Sequence, residues 1–525
     1  MRKLLGIFAV ALVMLAAVSC DKNDNLLPDN QPVKGVTLSA IINNTDTKTT
    51  LGTPENGIYP LYWSKGDKIA VMQGNNKFEF TLQGNGGTES GLFECTSSNA
   101  ADFDPFGEIR AFYPYSYVVE EESYLIPATL KYSDSAFPNG VSPMAAYRAE
   151  DAEGALKFEN LFGILKLQLK GNGKLSKIQV SSMNDIALSG YMDVTITSKN
   201  IGISANSTLK GSVSLDCGTG VSLSSADARE FLIALPAGEH ALSVTFTTSD
   251  NSRYFKSTSK LQTIEAGTIL KMPVVDLSSS EDVIKASENS YIEDGVYLGE
   301  GIEVTMDESG NTAIWAPYNC GYHSTNYPYG KLYQWGRKYG QGRDGRDKVL
   351  DQKTGKAAVL VQGTLPGYKD IEANGANFYY VNEDPFDWIS AKDDHLWNNS
   401  TEKSPVKTVN DPCPDGWRVP TIAELKNLGK NMSAFILTGE NVGGRWFCGN
   451  NEYGEGLKEK VFMPNAGFRN INGENGEGAY GYYWSSSADG TYSWSAYFTA
   501  SQVIMPVDEH SVPRSAGLSV RCIKE

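Results

Sequence analysis

The chain has 525 residues, 41% of them hydrophobic and 21% charged, and a formal net charge of −16. That length predicts three or four domains at about 100–200 residues each, and the acidic excess argues against a polyanionic partner, nucleic acid or anionic lipid alike. Fifty-two glycines and 27 tyrosines, with many Ser and Thr, fit turn-dense β structure on a wet surface.

Residues 1–20 read as an export signal. Arg2 and Lys3 precede the apolar run 4–18, which is shorter than a membrane-spanning helix needs. The run ends Ala17-Val18-Ser19-Cys20, small residues before a cysteine. This resembles a bacterial lipobox, and the resemblance implies that Cys20 becomes the lipidated first residue of the mature protein. The bland alternative is an ordinary signal peptide with an incidental cysteine. No later run is long and apolar enough to cross a bilayer, so the mature chain is expected to be anchored rather than spanning.

Residues 21–34 are polar, contain proline and read as a tether. Short strand candidates follow, separated by turns: 36–42 (VTLSAII), 68–73, 77–83, 163–171, 177–182, 230–238 and 240–249. Many alternate apolar and polar residues, as a strand with one buried face must. No sustained 3.6-residue period appears. The length predicts two β-sandwiches, 35–162 and 163–277.

Three stretches here, LYWSKGDKIAV (61–71), SPMAAYRAEDAEGALKFENLFGILKLQLKG (142–171) and FLIALPAGEHALSVTF (231–246), resemble the fimbrillin family of Bacteroidales. These are lipoprotein precursors of surface fimbriae built of two transthyretin-like β-sandwiches. The resemblance implies that a trypsin-like protease removes the first strand, here VTLSAII, and that a strand from a neighbouring subunit fills the groove. The basic residue in the following loop is Lys48, where family members often carry Arg. Lys48 is either the cut site or a solvated turn residue.

Residues 278–295 are Ser-rich and charged and read as a linker. From 296 the texture changes, and Trp, Tyr, Gly and Asn become dense. The best helix candidate is TIAELKNLGK (421–430): Thr421 can cap, Glu424 stands three residues on, and Leu425 and Leu428 share a face. GKLYQWGR (330–337), DPCPDGWRVPTIAEL (411–425), YWSSSADGTYSWSAYF (483–498) and GLSVRCI (517–523) together resemble the Fibrobacter-type major paralogous domain, which is related to the C-type-lectin-like and formylglycine-generating-enzyme-like fold. A mainly β chain is therefore expected: two sandwiches, then a loop-rich α+β lectin-like unit over 296–525.

Six cysteines remain after Cys20, and six allow many connectivities. The lectin-like resemblance implies a structural disulfide between Cys413 and Cys522, with two unpaired buried thiols as the alternative. Cys320 and Cys448 are candidates for a second bridge.

Enzyme chemistry finds little footing. There is no HExxH, GxSxG or Cys-x-x-Cys, and the four histidines are scattered, so no catalytic residue is nominated and a non-enzyme is expected. For calcium, the loop 470–478 offers Asn470, Asn472, Glu474 and Glu477 as oxygen donors, and 343–351 offers Asp344, Asp347 and Asp351. Neither follows a recognised loop pattern, and Asn and Gly in loops commonly serve turns. For ligand contact the candidates are Tyr322, Tyr327, Tyr329, Tyr480, Tyr482 and Tyr492, since Tyr gives large contact area at small entropic cost. Trp417, Trp484 and Trp494 lie inside the motifs and are read as core.

The two resemblances together imply the tip subunit of a fimbria: a precursor held at the outer membrane, then displayed at the cell surface. Its partners would be other fimbrial subunits and a glycan or protein ligand. The alternatives are a non-polymerising glycan-binding surface lipoprotein and an enzyme on the formylglycine-enzyme-like scaffold.

Overall fold

The computed structural model describes residues 35–525, except 43–61, 121–122, 134–141, 185, 199, 204–210, 259, 324–327, 341–359, 364–377, 382, 385, 439–441, 471–472 and 501–507. The described residues are almost wholly β, with one α-helix, Ile422–Leu428.

Alternation builds the first unit. In Thr37–Ile42 the side chains of Leu38, Ala40 and Ile42 turn inward and the residues between them outward. The strand pairs antiparallel with Ser90–Cys95 and parallel with Leu156–Asn160. With Lys68–Gln73, Asn76–Leu82, Ile109–Tyr113 and Met144–Arg148 it closes a seven-stranded barrel. The sheet closes on itself and so hides its edges. Trp63 fills the interior, edge-on to Phe93, Tyr113 and Phe158 at centroid distances of 4.9, 5.4 and 5.5 Å.

Lys68–Gln73 does not alternate because both its faces are buried. Ile69 and Val71 face the barrel interior. Ala70 and Met72, with Phe112 and Ala145, enter the core of the next unit. That unit packs the sheet Arg229–Pro236, Phe162–Lys170, Ile269–Asp276 against a six-stranded sheet centred on Leu242–Thr248, Lys174–Ser182 and Ser212–Ser222. Two strands from before residue 162 belong here: Ser123–Ile126 pairs with Gly190–Ile196, and Thr129–Lys131 with Ser212–Ser222. A boundary at 162 therefore cuts through shared sheets.

The segment 278–295 is not a free linker. Val283 is buried in the second unit's core, Ile284–Lys285 pairs with Arg253–Ser257, and Ser290–Glu293 forms a hairpin with Val296–Glu300. Its serines are hydrogen-bonding partners rather than spacers: the Ser290 hydroxyl donates to the Glu300 carboxylate at 2.6 Å.

In the C-terminal unit the largest sheet runs Tyr333–Gln334, Gly517–Leu518, Ala466–Asn470, Tyr480–Asp489, Tyr492–Thr499, Asp508–Pro513, with Gly473–Glu477 branching from Ala466–Asn470. A second sheet runs Ile302–Thr305, Thr312–Trp315, Ile523–Lys524, Trp417–Arg418. The helix starts on a capping box. The Thr421 hydroxyl accepts from the Glu424 amide, and the Glu424 carboxylate accepts from the Thr421 amide at 2.8 Å. Ile422, Leu425 and Leu428 face inward.

Candidate functional site

The motif residues that most resemble chemistry form the frame of this unit. Trp417 and Trp484 are buried, whereas Trp494 is half-buried. The Trp484 indole donates to the Tyr333 carbonyl at 2.7 Å, and the Trp335 indole to the Ser485 carbonyl at 2.9 Å. Ser487 accepts from the Ile422 amide at the helix start, at 3.1 Å. Arg521, also buried, donates to the carbonyls of Ala316, Pro317 and Phe462 and to the Asn319 side-chain oxygen at 2.7–3.1 Å. Backbone carbonyls that the ladders leave over, in strands and loops alike, are satisfied by side chains.

Cys413 and Cys522 are joined in a disulfide spanning 109 residues. Cys320 and Cys448 are free thiols, so the second candidate bridge is absent. The Cys320 thiol points at the Pro412 carbonyl, 3.4 Å away, and the Cys448 thiol at the carbonyls of Asn431 and Asn451, at 3.3 and 3.1 Å. Burial, with the nearby Glu293 charge, pushes the Cys320 thiol well up. Burial pushes Cys448 up to about 11. Neither thiol is set up as a nucleophile at neutral pH.

The aromatic residues divide. Tyr480–Asp489 and Tyr492–Thr499 are antiparallel, with Tyr482 opposite Tyr497. Pleating sends Tyr483 and Phe498 into one core, and Gly481 leaves room for the Phe498 ring, which a Cβ there would approach to 2.2 Å. The same pleating places Trp484, Tyr482 and Tyr480 on the other face. Along that face burial falls away: Trp484 is buried, Tyr482 half-buried, and Tyr480 39% exposed. The Tyr497 ring lies 4.7 Å from Tyr482 and 6.1 Å from Tyr480, and Phe468 meets Tyr482 edge-on at 5.0 Å. These four rings form one aromatic surface running from the core to solvent. Burial, and then Tyr497 and Tyr480, push the Tyr482 hydroxyl up to about 12, so it stays a neutral donor at physiological pH. Flat rings with a polar tip suit stacking on a sugar face or an apolar side chain.

The other nominated tyrosines lie elsewhere. Tyr492 pairs opposite Asp489, at the far end of the same strand pair from Tyr480, roughly 23 Å along the strand. Its ring is 5.9 Å from Phe386. Tyr322 stacks on Tyr318 at 3.9 Å. The Tyr329 carbonyl accepts from the Asn319 amide at 2.8 Å. Tyr327 lies outside the described residues, as do Cys20, Lys48, Asp344, Asp347 and Asp351.

The calcium ligand set is not assembled. Its stretch is a β-hairpin with Asn470 opposite Gly473 and Glu477 opposite Ala466, which puts Asn470 and Glu477 about 13 Å apart along the strand. Glu474 stands opposite Arg469, and Asn472 is outside the described residues. Among the described residues no group of three or more His, Cys, Asp or Glu could hold one ion.

Two features are assembled only by strand pairing. Phe468 and Tyr497 complete the aromatic face, and only strand register reveals them. A second cluster sets Trp446 opposite Phe462 at 5.2 Å, with the Lys460 ammonium 5.1 Å from the Trp446 ring and 5.4 Å from Tyr453. It is built on the strands Gly443–Gly449 and Val461–Pro464.

No family model matches the chain, and no curated protein matches it. Among solved structures, a Bacteroides ovatus protein provisionally named a cell adhesion protein is 14% identical, with 49% of this chain and 97% of that one covered and a TM-score of 0.33. The tip fimbrial protein Mfa3 from Porphyromonas gingivalis, truncated at its C-terminus, is 11% identical, with 48% and 99% covered and a TM-score of 0.23. A fimbrial protein from Bacteroides ovatus is 12% identical, with 93% and 99% covered and a TM-score of 0.20. Likeness of this degree fixes neither the fold nor the activity.

Proposed function

We propose that the chain is a surface lipoprotein precursor that joins a fimbria through its barrel and presents the C-terminal unit as an adhesive head. The observation that supports this most directly is the position of Thr37–Ile42. One strand closes the barrel, between Ser90–Cys95 and Leu156–Asn160. A cut at Lys48 would free it, leave both neighbours with unpaired edges, and open the sites of Leu38, Ala40 and Ile42. A strand from another chain with apolar residues at alternate positions completes such a groove.

The C-terminal unit keeps its own last strands. Ile523–Lys524 is held between Thr312–Trp315 and Trp417–Arg418, next to the Cys413–Cys522 disulfide. These strands are paired within the unit, which is proposed to sit at the end of a fibre. Cys20 holds the precursor at the outer membrane, and the Tyr480, Tyr482, Tyr497 and Phe468 face meets a glycan or protein surface.

Mass spectrometry of the mature surface form tests the reading. An N-terminus just after Lys48 supports it. A lipidated Cys20 with residues 37–42 retained identifies instead a non-polymerising glycan-binding lipoprotein. Immunogold labelling with antibody to the C-terminal unit should mark one end of each fibre, and label along the shaft would sink the terminal placement.

A further inference from the structure

We infer that the hairpin Ser290–Glu293/Val296–Glu300 is a lock that seats the C-terminal unit on the six-stranded sheet, making the two one mechanical body. The inference concerns this joint alone and does not depend on the fimbrial reading. The hairpin turns through Asp294 and Gly295, at φ of 49° and 81°. Two left-handed residues in succession suit an Asp-Gly turn, which matches the twist of its strands.

The turn lies on a prepared surface. The Asp294 carbonyl accepts from the Ser181 hydroxyl at 2.7 Å and from the Gln179 amide at 3.2 Å. The Gly295 carbonyl accepts from the Thr245 hydroxyl at 2.8 Å. Gln179 is paired with Thr245, and Thr245 with Phe255, so the three form one row across three strands. The Tyr297 ring rests 5.5 Å from Phe255. A Cβ at Gly295 would fall 2.1 Å from the Gln179 amide nitrogen and 2.7 Å from the Ser181 hydroxyl. Only glycine fits both the backbone and the seat.

The root of the hairpin is fixed in the other unit. Tyr291 is buried there, edge-on to Trp417 at 5.1 Å. The Glu293 carboxylate accepts from the Gly321 amide at 2.6 Å and the Tyr291 hydroxyl at 3.0 Å. The tip thus belongs to one unit and the base to the other, across a distance a slack tether would leave unfixed. The Ile284–Lys285 pairing with Arg253–Ser257 adds a second tie on the same sheet.

The test compares the full wild-type chain with Gly295→Val and with the double variant Ser181→Ala/Thr245→Val. Small-angle X-ray scattering reads the spread of inter-unit distances, and amide exchange by mass spectrometry reads residues 290–300. In the wild type a narrow distance distribution and protected amides are expected. In both variants the distribution broadens and exchange speeds up by about tenfold or more, as loss of two hydrogen bonds implies, while near-ultraviolet circular dichroism stays native-like. If Gly295→Val unfolds, the double variant decides. A wild type that is already broad and unprotected, or a double variant indistinguishable from it, overturns the inference.

Discussion

In the barrel, backbone carbonyls meet backbone amides, and side chains are left to fill space: Trp63 touches Phe93, Tyr113 and Phe158. In the C-terminal unit, buried side chains supplement the sheet ladders. Arg521 serves three backbone carbonyls, Arg445 serves those of Thr499 and Ser433, and the Trp388 indole serves the Trp335 carbonyl. A core substitution in the barrel therefore removes volume, whereas one in the C-terminal unit also strands buried acceptors. The first costs what the cavity costs, and the second adds the penalty for unmade hydrogen bonds.

Arg521→Met should show the largest effect, a loss of about 5 kcal/mol confined to the C-terminal unit. Thermal unfolding followed by amide exchange in each unit measures it; a loss under about 2 kcal/mol would remove the contrast. Next comes Cys522→Ser. Opening the loop between Cys413 and Cys522 should cost about 4 kcal/mol in the same unit, with barrel exchange unchanged. Leu38→Ala strikes the barrel instead. A cost of about 3 kcal/mol is expected, with the C-terminal unit unaffected.

The fourth test is pH. Burial, and then the Asp294 charge, push Glu293 up from 4.5 to about 7. The folded protein thus holds a proton that the unfolded chain releases between those values. The Glu293 contribution is present in full below pH 4.5 and is lost as pH rises through 7. Between pH 5 and 8 the wild type should lose on the order of 2–3 kcal/mol more than Glu293→Gln in this unit, since one proton held only by the folded state is worth about 1.4 kcal/mol per pH unit. Equal slopes in the two proteins would dismiss the role of Glu293. The smallest change in stability belongs to Tyr480→Ala, below about 0.5 kcal/mol because the ring is exposed. Retention on an immobilised glycan panel should still fall about tenfold; unchanged retention would remove this face from the site.

Local pattern was legible wherever one face of an element is buried. VTLSAII shows its inward residues by alternation, and TIAELKNLGK shows its cap. Barrel closure was not legible, because it depends on Thr37–Ile42 meeting Leu156–Asn160 far along the chain. Neither was the transfer of Ser123–Ile126 and Thr129–Lys131 into the second unit's sheets, nor the seating of a Ser-rich segment that looks like a spacer. In the aromatic face, the alternation of Tyr480, Tyr482 and Trp484 was visible, but Tyr497 arrives by register and Phe468 by a neighbouring strand. Buried Arg445, Arg514 and Arg521 look like surface residues in composition, since their role is set by which backbone carbonyls the fold leaves over.

The pairing of Trp315 with Ile523 also sets a timetable. A chain delivered from its N-terminus presents the whole barrel early, so that unit can close while the remainder is still arriving. Thr312–Trp315 must wait about 200 residues for its partner, and contacts so far apart form slowly. Once residue 448 has emerged, Cys320, Cys413 and Cys448 are all present while Cys522 is still to come. Premature oxidation would trap a wrong pair among them, so correct maturation should depend on a catalyst that reshuffles disulfides more than on one that merely makes them.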